Sequence, residues 1–446
     1  MTDFLNEIER YAKSDAAKFH MPGHKGNDIF CPAFDITELS FSDNLHNPSG
    51  IIADLESKIA RIYGAKRSFI SLNGSTGGIL AMFLSIAAMK KKAKVLLARD
   101  CHKSAISGAI LSGVETIGVY PGENIGFSVI TPQIIDNALE NYSADAVFIT
   151  SPTYFGACAD LKNIAKVCHD HGALLLVDSA HGAHFAFSDY LPEPASKFAD
   201  LCVMSAHKTL ASMTQTAFLH LNHCSLDEKT VQKALSLIET SSPSYVLMAS
   251  AENGIEIAKK DWDEHVFRVL ELRKKLTYAG VAIFSGNGSI IDPTRLYIYA
   301  APFFSDGFAL SAALENKGIF VEMADSTGIV LITSPFDKNN WYDKLIFIFN
   351  NFFRFTTPLP RKSKKISCFP SPVIMREAAF DSSEYIPLDK NAEGRIAAEC
   401  IGIYPPGISV VFPGERLLRS DIYSLLEAVS QGARGVDKEG ILVKKI

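Results

Sequence analysis

An α/β architecture built on a mostly parallel sheet flanked by helices is what this sequence predicts, and three observations predict it. Between about residues 50 and 220, short apolar or β-branched runs alternate with helical periods. Five of the strands so read end in a polar cluster. A glycine-rich turn, Asn73-Gly74-Ser75-Thr76-Gly77-Gly78, follows one of them and opens a helix. Strands alternating with helices join through right-handed crossovers, and such sheets bind ligands beyond the carboxyl ends of their strands.

In chain order, IIADLESKIARIYG reads as an amphipathic helix stopped at Gly64, and SFISLNG as a strand entering a turn. GGILAMFLSIAAMKKK is a helix, AKVLLARD a strand, KSAISGAILSG a helix and VETIGVY a strand. TPQIIDNALENY is a helix capped by Thr131, leading to the strand ADAVFITSP. DLKNIAKVCHDHG is a helix, and ALLLVDSA and ADLCVMSA are strands. The polar clusters NGSTGG, RDCHKS, SPTYFG, DSAHGAH and SAHKT all fall at strand ends. Residues 226–280 read as long charged helices. After about 290 the strands PTRLYIYA, FVEMAD and GIVLITSP suggest a smaller α+β unit. A basic, Pro-rich link (357–372) precedes a last unit containing Pro405-Pro406-Gly407.

Composition narrows the function. The 446 residues are 47% hydrophobic and 21% charged with a net charge of −5, so no basic excess points to nucleic acid or an anionic membrane. The charged N-terminus lacks the apolar core of a signal peptide, and the apolar stretch 77–89 is too short to span a bilayer. Eight scattered cysteines (31, 101, 158, 168, 202, 224, 368 and 400), with no CxxC pair, fit reduced thiols in the cytoplasm. All twelve histidines lie at or before His265, which places the chemistry in the first 60% of the chain.

Lys208 poses the sharpest question. It follows the apolar run of VMSAHKTL, where an ammonium is costly to bury unless its charge is paired or consumed. Asp178 ends another apolar run thirty residues earlier. The glycine-rich turn offers outward N–H groups, a helix dipole and the hydroxyls of Ser75 and Thr76, a cradle for a phosphate. Asp178, His181 and His184 could be read as metal ligands, but nothing else in the stretch supplies a further ligand at a typical short spacing, and no metal is expected. An anion cradle, a buried Asp and then a Lys fit pyridoxal 5′-phosphate: phosphate at the helix N-terminus, Asp on the ring nitrogen, Lys as the imine.

These motifs resemble the ornithine/lysine/arginine decarboxylases, fold-type-I pyridoxal-phosphate enzymes. The resemblance runs through FHMPGHKG (19–26), DNLHNPSG (43–50), NGSTGG, RDCHKS, SPTYFG, VDSAHGAHF and SAHKTL to GRIAAE (394–399) and YPPGISVVFPGE (404–415). It implies Lys208 as the Schiff-base lysine, Asp178 as the pyridinium partner and His102 as the imidazole over the ring. Gly74, Ser75, Thr76, Ser205 and His207 would hold the phosphate. Ala180 would pack under the ring, and Thr153 and His181 would reach its 3′ oxygen or the substrate. The implied reaction is decarboxylation of arginine, lysine or ornithine, feeding polyamine metabolism. Resemblance to shorter members tilts the substrate toward arginine, then lysine.

Aminotransferase or lyase chemistry on the same scaffold is the alternative, because Arg395 and Arg416 could clamp an α-carboxylate. A non-enzymatic relative is disfavoured by the joint presence of Lys208, Asp178 and His102. Glu415 could meet a distal cation or be a structural contact, and His46 and Asn47 could contact substrate or cap a helix. Larger family members carry an N-terminal response-regulator-like domain. This chain starts near PGHKG, so a homodimer or a pair of dimers is expected. The resulting division is an arm (1–49), a cofactor-binding major domain (50–285), a small α+β domain (286–360) and a C-terminal domain (361–446).

Overall fold

Strands buried on both faces need apolar residues at every position, and the central runs supply them. The computed structural model describes residues 15, 17–19, 43–122, 127–222, 224–351, 371, 373–403, 408–430 and 440–445. The PGHKG motif, Pro405-Pro406-Gly407 and nearly all of the basic link lie outside these residues.

The elements through the centre of the chain are β1 (Ala17–Phe19), α1 (Ile51–Tyr63), β2 (Arg67–Ser71), α2 (Gly74–Met89), β3 (Lys94–Ala98), α3 (Lys103–Ser112) and β4 (Glu115–Val119). They continue with α4 (Pro132–Asn141), β5 (Ala146–Thr150), β6 (Ala157–Cys158), α5 (Leu161–Asp170), β7 (Leu174–Asp178), β8 (Leu201–Ser205), α6 (Ala206–Thr209) and β9 (Ala217–Leu221). Seven strands form one sheet in the order β2-β9-β8-β7-β5-β3-β4. The pairs from β8 to β4 are parallel, as expected. Strand β9 is antiparallel to both neighbours and was not legible in the sequence: AFLHL is short and buried throughout, so it shows no alternation.

Alternate strand residues feed two cores, one on each face. Leu96, Val147, Ile149, Leu175 and Val177 enter one, and Val95, Leu97, Phe148, Leu174 and Leu176 the other. Helix α1 starts where the Asp43 carboxylate accepts the N–H groups of Ser49, Gly50, Ile52 and Ala53. It ends at Gly64, whose φ of 66° is a left-handed cap. Thr131 caps α4 through Ile134 N–H at 3.4 Å.

The remaining chain contributes α7 (Glu228–Ser236), α8 (Tyr245–Tyr278), β10 (Ile290–Ile291), β11 (Arg295–Tyr299), α9 (Gly307–Glu315), β12 (Ile319–Val321), β13 (Met323–Ala324), β14 (Gly328–Ile332) and α10 (Asn339–Asn351). Last come α11 (Met375–Phe380), β15 (Ser383–Ile386), β16 (Ile401–Ile403), β17 (Ile408–Val411), α12 (Arg419–Ser430) and β18 (Ile441–Lys444). Helix α8 is a 34-residue spine. Its first half buries Met248, Ala251, Ile255 and Trp262 against the main sheet, and its second half buries Val269, Leu272 and Leu276 in a separate core. That second core contains the antiparallel sheet β11-β14-β13. It also takes in β1, which pairs with β12 in parallel, and Phe19, which stacks on Tyr342. Residues 17–19, expected in a separate arm, therefore complete this core, because a short apolar strand gains most by pairing with an open edge.

The glycine-rich turn sets how closely α2 approaches β8. A Cβ at Gly78 would lie 2.6 Å from Val203 Cγ2, inside van der Waals contact. Gly78→Ala should therefore destabilise the fold by about 1–3 kcal/mol through overpacking, read as a lowered urea midpoint.

Candidate active site at the strand ends

All five residues of β8 are buried, and at Ser205 the strand passes into the single helical turn α6. Lys208 sits in that turn, three residues beyond the strand, rather than at the strand end itself. Its half-buried side chain carries Nζ to 3.0 Å from His181 Nε2. Asp178, the last residue of β7, is 4% exposed, and its Oδ1 accepts Ala180 N–H at 3.0 Å. Backbone bonds from Ser179 N–H to Val203 O and from Ser205 N–H to Ala180 O lock these two strand ends together.

Two of the residues expected at a phosphate cradle come together. Ser75 Oγ and Ser205 Oγ, both buried, are 2.6 Å apart across the gap between α2 and β8. Gly74 N–H is bonded to Gln215 O, and the helical bonds begin with Gly77 N–H to Asn73 O. Ser75 and Thr76 thus supply the first-turn N–H groups of α2, where the dipole favours an anion. Glu239 holds the loop by accepting from Ser71 Oγ and Asn73 N–H, and burial raises its carboxyl above the ordinary range. His207 donates Nδ1–H to Thr216 O at 3.0 Å, which fixes its ring beside the cradle.

His102 caps α3: its Nδ1 accepts Ser104 N–H at 3.2 Å. Burial holds its imidazole below the usual range, with the Lys208 charge adding to this and Asp178 opposing it. His181 is pushed well below its ordinary value, first by burial and then by Lys208 and Arg295. The Lys208 amine is lowered by burial and by Arg295, against Asp178 and Glu322. Lys208, Asp178, His102, His181 and His207 thus share one electrostatic neighbourhood.

Several expected partners face elsewhere. His184 lies 3.2 Å from Asp292, and among the described residues no cluster of metal-ligating side chains forms. Thr153 Oγ1 accepts Ala157 N–H within its own loop, and Tyr154 instead meets the His181 ring edge-on. Glu415 pairs with Arg99 at 2.6 Å, and Arg99 also stacks on Phe412, so this carboxylate ties the C-terminal unit to β3. Arg395 bonds Glu384, and Arg416 bonds Gly394 O. His46 bonds Thr240 O, and helix capping falls to Asp43.

Three residues of this neighbourhood were not singled out from the sequence. Arg295, 2% exposed at the start of β11, brings Nη2 to 2.8 Å from His181 Nδ1. Glu322 accepts the Tyr154 hydroxyl at 2.6 Å. Asp100, beside the Asp178 charge, is raised to about 7 by burial. Arg295 had a signal: it opens an apolar strand in PTRLYIYA, the same incongruity that singled out Lys208. It brings a residue from beyond the first 60% of the chain, where the chemistry was expected, into contact with His181.

A lysine amine, a carboxylate on the neighbouring strand and paired hydroxyls at a helix N-terminus fit pyridoxal 5′-phosphate, and with this sheet they define a fold-type-I enzyme of that cofactor. The family model "Orn/Lys/Arg decarboxylase, major domain" matches residues 2–303, and its C-terminal domain model matches 362–436. YaaO of Bacillus subtilis, an uncharacterized protein, is 32% identical over 99% of this chain and 98% of its own length. An arginine decarboxylase of Bacillus subtilis is 29% identical over 97% and 94%. The solved lysine decarboxylase A of Pseudomonas aeruginosa superposes with a TM-score of 0.77 at 18% identity, covering 99% of this chain and 80% of that one. The chain belongs to the Orn/Lys/Arg decarboxylase family. It is a pyridoxal-phosphate-dependent decarboxylase of a basic amino acid.

A histidine held neutral by burial makes stability depend on pH. The unfolded chain takes up a proton below about pH 6.5 that His181 refuses in the fold. Its contribution is full above that pH and declines on acidification, by up to roughly 1.4 kcal/mol per pH unit. The variant His181→Asn should show a shallower loss of stability between pH 6.5 and 5 in urea unfolding.

Proposed function

We propose that the enzyme decarboxylates L-arginine to its amine and carbon dioxide, with Lys208 as the reacting lysine. The observation that carries this reading is the placement of Lys208 Nζ within 3.0 Å of His181 Nε2, in one neighbourhood with Asp178 and next to the Ser75–Ser205 pair. The arginine preference is supported by the arginine decarboxylase relative, whose similarity extends over nearly both full lengths.

Bound pyridoxal 5′-phosphate supplies an electron sink for the pair left when the carboxylate departs. Each other role belongs to the chain. Lys208 would hold the cofactor covalently, and a nearby acid, a histidine or Lys208 in its protonated form, would return a proton to the substrate Cα. Asp178 would keep a proton on the ring nitrogen. Ser75 and Thr76, just after the left-handed Gly74 (φ 66°), would bind phosphate together with Ser205 and His207. His102 and Ala180 would enclose the ring from its two faces. His181, with Tyr154 against its ring edge, would reach its 3′ oxygen or the substrate. The division at residues 49, 285 and 360, a cytoplasmic homodimer or pair of dimers, and an output into polyamine synthesis complete the proposal. The six described cysteines are free thiols, which suits a reducing compartment. Among the described residues no helix is long and apolar enough to cross a membrane.

Carbon dioxide release from labelled arginine, lysine and ornithine tests the substrate; arginine should lead by about tenfold or more. Release from none of the three overturns the reading, and a lead by another moves the substrate to that amino acid. Lys208→Ala should lose borohydride-fixed cofactor. Asp178→Ala should lose roughly a hundredfold in turnover while retaining most of its cofactor.

A further inference from the structure

This inference rests on Lys208 being the reacting lysine. A lysine nitrogen attacks a carbonyl only as a neutral amine, because an ammonium has no lone pair. Two contacts decide which form the site selects. Arg295 Nη2 lies 2.8 Å from His181 Nδ1, and His181 Nε2 lies 3.0 Å from Lys208 Nζ. A guanidinium only donates hydrogen bonds and keeps its protons at any working pH. His181 Nδ1 must therefore present its lone pair to Arg295. A neutral imidazole carries one N–H, so that proton is on Nε2 and points at Lys208. Nζ must then accept, which an ammonium cannot do.

We propose that Arg295 is a positioning residue that fixes the Nε2–H tautomer of His181 and thereby holds the free Lys208 side chain as a neutral amine. The surroundings support this. A doubly protonated His181 would set an N–H against the guanidinium, and its other charged or titratable neighbours are Lys208, His102, His207 and the Tyr154 ring that meets it edge-on. The carboxylates that favour an ammonium at Lys208 are Asp178 and Glu322. The first accepts Ala180 N–H and the second accepts the Tyr154 hydroxyl. Asp292, which bears on Arg295 with Glu322 and Tyr154, is itself held by Thr294 Oγ1 at 2.6 Å and lies 3.2 Å from His184. Arg295 is also fixed in place. Arg273 donates to its carbonyl oxygen, and its stem passes Gly156, where a Cβ would lie 2.8 Å from Arg295 Cβ. Nη1 is buried without a hydrogen-bond partner, so no described acceptor draws the guanidinium away from His181.

Two measurements on the full-length chain freed of cofactor test this. Histidine nitrogen NMR, with the His181 signal assigned by its loss in His181→Asn, reads the tautomer. Competitive acetylation followed by mass spectrometry reads the pH at which Lys208 is half-labelled. The wild type should show Nε2–H at His181 and label Lys208 at lower pH than its surface lysines. In Arg295→Gln, whose amide can accept as well as donate, Nδ1–H should appear and half-labelling should move up by about 1–2 pH units. Arg295→Lys, still a cationic donor, should keep the wild-type tautomer. Nδ1–H in the wild type, or unchanged Lys208 labelling in a folded Arg295→Gln, overturns the proposal. Neither measurement uses turnover, so it can fail while carbon dioxide release stands, and the reverse holds too.

Discussion

As the proposed reacting lysine, Lys208 cannot sit in its pocket as an ordinary solvated ammonium, and the proposed site is arranged around that constraint. Burial works against the charge, and so does a guanidinium on the far side of His181, while Asp178 and Glu322 pull the other way. The balance is set within a few ångströms by groups from β7, α6 and β11. Removing any of them changes the protonation of a neighbour rather than a packing contact alone.

The antiparallel strand β9 has a role in this that its length conceals. The turn entering it presents two successive carbonyls. Gln215 O accepts Gly74 N–H, and Thr216 O accepts both Ala206 N–H and the His207 ring. One short connection thus ties the glycine-rich turn to the lysine-bearing turn. The spacing between the glycine-rich turn and the turn carrying Lys208 is set by backbone hydrogen bonds, which are less compliant than side-chain contacts.

What the sequence disclosed follows from which signals are local. Apolar runs ending in polar clusters mark strand ends of a parallel sheet, so Asp178, Ser205 and the turn at Gly74 could be placed at one edge before any coordinates. Lys208 drew a chemical reading not from its own stretch, where a solvent-exposed lysine is the ordinary outcome, but from the glycine-rich turn and Asp178 at neighbouring strand ends. Roles that depend on distant pairing were not legible. Glu415 and Arg99 are 316 residues apart and meet as a partly buried ion pair, and nothing local distinguishes that outcome from substrate recognition. Thr153 and Tyr154 are adjacent, and only the turn geometry decides that the tyrosine faces His181. The absence of histidine after residue 265 misdirected attention, because the second half contributes a permanent cation instead.

That contribution explains the length of α8. Its first half packs on the main sheet and its second half on the core around β11, so one continuous helix carries both layers. From the second half, Arg273 reaches the backbone carbonyls of Pro293 and Arg295, and Asp292 N–H bonds Gly156 O across to the loop after β5. Arg295 is therefore held by the helix on one side and by the SPTYFG loop on the other. A rigid-body shift of the β11 unit would carry the guanidinium away from His181 Nδ1 and release the constraint on the imidazole. Docking of the smaller core and the placement of Arg295 against His181 are thus two consequences of the same contacts.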